Sequence, residues 1–501
     1  MSLISWRALL VAVAHFLLVV EAAGVNYNYS SLISKVDEYC YTQFIKDPSC
    51  CLDTTYARGV SVHTVRIPGN EWYCDEKHCW DNKKGPRGDG SLTVPHGATC
   101  ATPRILYVHG GSWEYGSPFT DGYPQLATKI ANLTGFVVYM PDYMLAPVGN
   151  YSVILNQTLA ALEWLARHGP VDDAIGDCPL PVPPVFIGGD SSGGGSALAV
   201  LMAINKDRKR GPYGGKVKLA GGFFFSPWTN LKCNTPDYYH HAFAKIVTRN
   251  DEGTNRIAYV GDLMFRGHPL MNKDAFTGNA LDYVGGDESL LTDPIASPLY
   301  IETDDWQDVP PLYFAVGGSE SILGDSVLFA QKAAHKQVEV QLDIYQGMWH
   351  VFPMYAEGCG SNITLWQGVS ALRRAAKFCQ SVAYNGKPAC SSHPGGADGS
   401  NPYTEFHYNN PKGDTEWFET DDSCAHLDSL WNASNPYADI YLVGRSSRNA
   451  QIFPQRLLVA TAILSLCSVA AWMFISNIRL KRQLLHLHSG GYLCVDAQWA
   501  A

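Results

Sequence analysis

Six short apolar runs set the architecture of this chain: RILYV at 104–108, GFVVYM at 135–140, VFIGG at 185–189, AGGFFF at 220–225, PLYFAV at 311–316 and VEVQLDIY at 338–345. A strand exposed on one face alternates apolar with polar residues, whereas a nearly unbroken apolar strand needs cover on both faces. The intervening segments supply that cover. QTLAALEWLARHG places Leu159, Leu162 and Leu165 on one helical face, SVLFAQKAAHK is helix-like, and ITLWQGVSALRRAAKFC forms a closing helix that ends near 380. The pattern predicts a parallel sheet with helices on both sides. In VEVQLDIY, Val338, Val340, Leu342 and Ile344 alternate with polar residues, which predicts a half-exposed strand. Residues 232–295 interrupt the rhythm and read as a cap inserted between strands.

The two ends carry different signals. Arg7 precedes the apolar ALLVAVAHFLLVV, and small residues follow in VEAAG, the layout of a secretory signal spanning 1–23 with cleavage after Ala22 or Ala23. Leu457 to Ile478 holds no charged side chain over about 33 Å of helix, enough to cross a bilayer. Arg456 stands before it, while Arg479, Lys481 and Arg482 follow. The excess of positive charge after the span predicts a single-pass type I protein, with a membrane helix at 456–478, a cytosolic tail at 479–501 and everything earlier lumenal or extracellular. Sequons at Asn28, Asn132, Asn150, Asn156, Asn362 and Asn432 all lie on that lumenal side.

Twelve of the fourteen cysteines precede the membrane run, an even set that reads as disulfides in an oxidising compartment, with connectivity open. CDEKHC at 74–79 lacks the second ligand pair that zinc requires, so no metal is expected. Residues 24–100 read as a cysteine-rich N-terminal extension; its Arg87-Gly88-Asp89 tripeptide lies among turn formers and carries no functional weight. Residues 386–455, rich in Gly, Ser, Asn, Pro and Asp, read as a polar stalk. The formal net charge of −10, with no basic cluster outside the last residues, excludes nucleic acid as a partner.

Chemistry concentrates in GGDSSGGG at 188–195. Gly189-Asp190-Ser191-Ser192-Gly193 fits G-x-S-x-G only with Ser191 at the centre, because a frame on Ser192 meets Asp190 where glycine is required. The motif is a sharp turn from strand to helix that presents a nucleophile, and Ser192 contributes its backbone N–H at the helix start. A phosphate-binding loop would need the Walker lysine, which is missing. A second element, LYVHGGSWEYGS at 106–117, follows an earlier strand, and Gly110 and Gly111 leave its amides unobstructed. Gly110, Gly111 and Ser192 are therefore the candidate oxyanion-hole donors, with His109 bracing the loop. Trp113, Tyr115 and Trp228 are candidate pocket walls for an apolar acyl or alcohol part of a small to medium ester.

Taken together, HGGSW (109–113), YMLAP (143–147), GDSSGG (189–194), SPW (226–228), ASPL (296–299), VPPLYFAVG (309–317) and GMWHVF (347–352) resemble the hormone-sensitive-lipase-like branch of the α/β-hydrolases over residues 100–380. The resemblance implies a mostly parallel eight-stranded sheet with helices on both faces, a catalytic domain at 101–385 carrying the cap, and cofactor-free serine carboxylesterase chemistry. It places the base at His350 and the acid on the VGGSESILGDS loop, where matching the family pattern selects Glu320. Asp325 is the competitor, and its alternative role is to charge the start of the following helix. The chain departs from the family at VGNYSVILNQT after YMLAP, and at Ser192, where alanine is common. The expected function is a membrane-anchored, lumen-facing carboxylesterase or lipase-like hydrolase. The alternatives are an inactive hydrolase-fold adhesion or receptor ectodomain, and an amidase or deformylase using the same three residues.

Overall fold

The computed structural model describes residues 52–408 except 75–84, 121, 172–173, 180, 208–216, 242–243, 250–254, 261, 263–272, 303–305, 307, 359–363 and 389–402. The expected signal sequence, membrane helix and tail lie outside the described residues, as do Asn28, Asn362, Asn432 and most of the expected stalk. Among the described residues no helix is long and apolar enough to cross a membrane.

Nine strands form the main sheet: β1 (Val60–Arg66), β2 (Asp89–Pro95), β3 (Arg104–Val108), β4 (Val137–Met140), β5 (Val185–Asp190), β6 (Leu219–Phe225), β7 (Leu312–Gly317), β8 (Val340–Tyr345) and β9 (Tyr403–Tyr408). Their order is β1-β2-β4-β3-β5-β6-β7-β8-β9. The β1–β2 and β2–β4 pairs are antiparallel, and every later pair is parallel. The six apolar runs are β3 to β8, and each is buried along its whole length or nearly so.

Alternate side chains of these strands face two helical layers. Ile105, Tyr107, Phe223, Phe225, Tyr313 and Ala315 point to the layer of α1 (Tyr123–Thr134) and α6 (Trp366–Asn385). The opposite face is covered by α2 (Tyr151–Arg167), α3 (Ser191–Asp207) and α5 (Leu323–His335), with Phe224, Phe314 and Phe329 in ring contact there. Leu159, Leu162 and Leu165 of α2 are buried as their spacing predicts. The 232–295 insertion holds a hairpin at 244–249 and 255–260 and the helix α4 (Lys273–Tyr283).

Four expectations are corrected. The sheet has nine strands and not eight, because 403–408, read as stalk, pairs in register beside β8. It also begins before residue 100, since β1 and β2 come from the segment read as an extension. β8 is not half-exposed: Gln341 and Asp343 are buried. Asp343 accepts from Arg374 Nε at 2.6 Å and from Tyr313 Oη at 2.8 Å, so the polar side of the strand faces a buried ion pair and not water. Finally, the twelve cysteines that precede residue 456 are not all disulfide-bonded. Cys100 joins Cys178 and Cys74 is also disulfide-bonded, but Cys379 on the core face of α6 is a free thiol packed among apolar side chains.

Candidate active site

The C-terminal ends of β5, β7 and β8 open on the same edge of the sheet, with β6 between β5 and β7, and the loop leaving each of the three carries one of the expected residues. Ser191 follows β5 directly and opens α3 with φ of 50°. A non-glycine residue held in the left-handed region is strained, which suits a side chain that must stand clear of both strand and helix. The flanking glycines are required by crowding. A Cβ on Gly189 or Gly193 would collide with the carbonyl of Val108, and on Gly193 with that of His109 as well.

His350 Nε2 lies 2.9 Å from Ser191 Oγ. On the other side of the ring, Nδ1 is 3.6 Å from Glu320 Oε2, long for a hydrogen bond and close enough for strong charge interaction. All three residues are buried, Ser191 at 8% exposure and Glu320 at 0%. Burial pushes the Glu320 carboxyl up to about 8, against hydrogen bonds from Ser226 Oγ and Gly317 N that pull it down. Burial also lowers the His350 imidazole, opposed by the charges of Asp262 and Asp190. The arrangement therefore keeps the ring neutral at rest, with carboxyl groups nearby to receive it as a cation.

Asp325 does not reach His350. It is buried at the start of α5, where Oδ2 accepts from Thr229 N, Asn230 N and Tyr238 Oη at 2.9–3.1 Å. Its carboxylate ties the loop after β6 to α5.

The adjacent serines divide the work. Ser192 is fully buried, and its hydroxyl accepts from Trp113 N at 3.1 Å, anchoring the glycine loop to α3. His109 is a brace as expected. It stacks on Tyr143 at 4.3 Å, its carbonyl accepts from Tyr143 Oη at 2.7 Å, and burial lowers its imidazole to about 4.

One expected oxyanion donor is displaced. The Gly110 N–H points to Tyr123 Oη (2.8 Å) and Asp190 Oδ1 (3.2 Å), so it is already spent on the loop's own support. Asp190 also accepts from Tyr107 and Tyr123 hydroxyls, and burial raises it to about 6. Among the described residues, the amides of Gly111, Ser112 and Ser192 make no backbone or side-chain hydrogen bond. Ser112 was missed by sequence reasoning; its φ of 55° marks the turn that leaves its N–H unengaged. Gly111, at φ 113°, is obligatory because a Cβ would strike the Tyr115 carbonyl.

The aromatic candidates also separate. Trp113 is fully buried, stacked on Tyr283 of α4 at 3.9 Å and beside Trp228 at 4.9 Å, while Tyr115 is 53% exposed. Trp113 and Trp228 thus dock the cap onto the sheet, and Tyr115 faces solvent. Of the three sequons within the described residues, Asn132 and Asn156 are exposed, and Asn150 caps α2 by accepting from Val153 N at 3.2 Å. A second unforeseen residue, Asp262, lies against His350 and comes from the insertion.

A serine at a strand-to-helix elbow, a neutral imidazole beside it and carboxyl groups behind define a serine hydrolase. The comparisons agree. A family model described as the alpha/beta hydrolase fold matches residues 105–354, and the chain belongs to that family. LipR of Mycobacterium tuberculosis, provisionally named an acetyl-hydrolase, is 29% identical over 52% of this chain and 68% of its own length. An esterase of Acinetobacter venetianus is 26% identical over 56% of this chain and 76% of its own. Among solved structures, a mutant of the esterase E40 aligns with a TM-score of 0.51 and 23% identity, covering 71% of this chain and 100% of that one; this shows the shared fold.

Proposed function

We propose that this chain is a serine carboxylesterase working through an acyl-enzyme. The observation that carries the reading is the 2.9 Å approach of His350 Nε2 to Ser191 Oγ, with Glu320 behind the ring. His350 takes the Ser191 proton as Oγ attacks the ester carbonyl. The resulting oxyanion meets the amides of Gly111, Ser112 and Ser192, where each donor is worth roughly 3–4 kcal/mol of barrier. Glu320 stabilises the imidazolium, which then protonates the departing alcohol. Water repeats the attack on the acyl group with the same base. The esterases and acetyl-hydrolases among its relatives support an ester substrate.

The protein is further proposed to be held in a membrane by residues 456–478, with its catalytic part on the lumenal or extracellular side. The uncharged run, the basic residues that follow it and the six sequons support this placement. Alkaline extraction of the full chain should leave it in the membrane fraction, and glycosidase treatment should increase its gel mobility. Release into the soluble fraction would rule out the anchor.

The test of the chemistry is labelling of the full chain with a fluorophosphonate probe alongside turnover of short-chain p-nitrophenyl esters. Ser191→Ala should abolish both, while Asp325→Asn should leave labelling in whatever fraction folds. Labelling that persists in Ser191→Ala would overturn the nucleophile.

A further inference from the structure

The loops that carry the acid and the base have no covalent reason to keep a fixed separation, since one leaves β7 and the other β8. A carboxylate from neither strand joins them. Asp262, fully buried within the 232–295 insertion, accepts from His350 N through Oδ1 at 3.1 Å and from Ser321 N through Oδ2 at 2.8 Å. One oxygen thus holds the backbone of the base, and the other holds the residue next to the acid. The backbone of Asp262 is held in turn, donating to the His241 carbonyl at 2.8 Å. The His241 ring completes the chain of contacts, since Nδ1 lies 2.9 Å from the Glu320 carbonyl oxygen and 3.5 Å from Asp237.

We propose that Asp262 is a positioning residue by which the cap insertion sets the spacing of Glu320 and His350 and adds a second negative charge beside the imidazole. This rests on the esterase reading and adds a group to it. The spacing matters because the ring lies 3.6 Å from Glu320, a distance at which small loop movements decide whether a hydrogen bond forms during the reaction. The charge matters because the cation that forms on His350 is fully buried, and an anion close by lowers the cost of making it. Among the described residues, the charged and titratable groups facing this cluster are Glu320, Asp190 and Asp237, together with the His241 ring. Sitting in the insertion, Asp262 makes the competence of the site conditional on the cap being seated.

Asp262→Asn keeps one acceptor and removes the charge; Asp262→Ser keeps a smaller acceptor. Measured on the full chain, either should lower kcat roughly tenfold or more with KM little changed. The acidic limb of the kcat/KM profile should move to lower pH, because loss of a neighbouring anion makes both His350 and Glu320 give up their protons more readily. A residue that only braced the fold would leave that limb in place. The inference is overturned if the folded variants keep the native profile with kcat within about twofold, or if neither variant folds, which would make the carboxylate a structural brace. Fluorophosphonate labelling of the native chain separates the two levels. Absence of labelling there sinks the esterase reading itself, whereas normal labelling with an unmoved profile sinks only the role of Asp262.

Discussion

Ser226 shows how closely single atoms control this site. Its hydroxyl donates to Glu320 Oε2 at 2.5 Å and accepts from Val351 N at 3.1 Å, so one side chain touches both the acid and the residue after the base. That donated hydrogen bond is what most opposes the upward push of burial on Glu320, whose carboxyl stands at about 8. Ser226→Ala removes the donor, raises Glu320 further, and leaves less of it ionised near neutral pH. The acidic limb of kcat/KM should therefore move to higher pH, opposite to the shift from Asp262→Asn, and the rate at neutral pH should fall about tenfold. A pH–rate series on the variant checks both sign and size. The frame of G-x-S-x-G was readable because the motif is five consecutive residues, although the atoms that crowd Gly189 and Gly193 include the distant carbonyls of Val108 and His109. The use of the Gly110 amide was not readable, since its acceptors lie 13 and 80 residues away in Tyr123 and Asp190.

At the scale of elements, the turn after His350 is gripped by a segment that precedes the whole sheet. Glu357 accepts from Thr54 N and Thr55 N at 2.9 Å, Lys129 Nζ of α1 bridges Glu357 and Asp53, and Asp53 N donates to Met354 O. Burial alone would raise Glu357, but the hydrogen bonds from Lys129, Thr54 and Thr55 outweigh it and bring the carboxyl to about 2. Its folded value is below its ordinary value of 4.5, so its contribution is complete above about 4.5 and is lost as pH falls towards 2. Asp53, raised by burial to about 6, works in the opposite sense. It favours the fold most below its ordinary value of 3.8, and that contribution is lost as pH rises through 6. Glu357→Gln should cost about 0.5–1 kcal/mol at pH 7, a small figure because the side chain is partly exposed. Urea unfolding of variant and native protein should converge as pH falls through about 2. Strands β3 to β8 and helices α2, α3, α5 and α6 were legible, since apolar runs and 3.6-residue periods are written locally, whereas β1 and β2 lay in the segment read as an extension. β9 was not, because a short strand among turn formers becomes one only when an open sheet edge receives it.

For the whole molecule, the long-range ties are covalent and ionic. The Cys100–Cys178 disulfide spans 78 residues, enclosing β3, β4, α1 and α2. A closed loop of that length restricts the unfolded chain strongly, so replacing both cysteines by serine should lower stability by about 2–5 kcal/mol, read as an earlier chemical-denaturation midpoint. Esterase turnover per folded molecule should be unchanged, because the bond lies at the N-terminal ends of the strands and the site at their C-terminal ends. The buried Arg374–Asp343 pair ties α6 to β8 on the same principle of long-range closure.

What the chain determined by itself was whatever its neighbours in sequence can enforce: the periods of strand and helix, the elbow that strains Ser191, and the loops that carry Glu320 and His350. The tertiary structure decided which of several plausible donors, carboxylates and cysteines are used. Buried polar groups pair with whatever partner the fold delivers within about 3 Å, and that delivery depends on contacts between distant segments. Asp325 went to the β6 loop, Gly110 to Asp190 and Asp343 to Arg374 for this one reason.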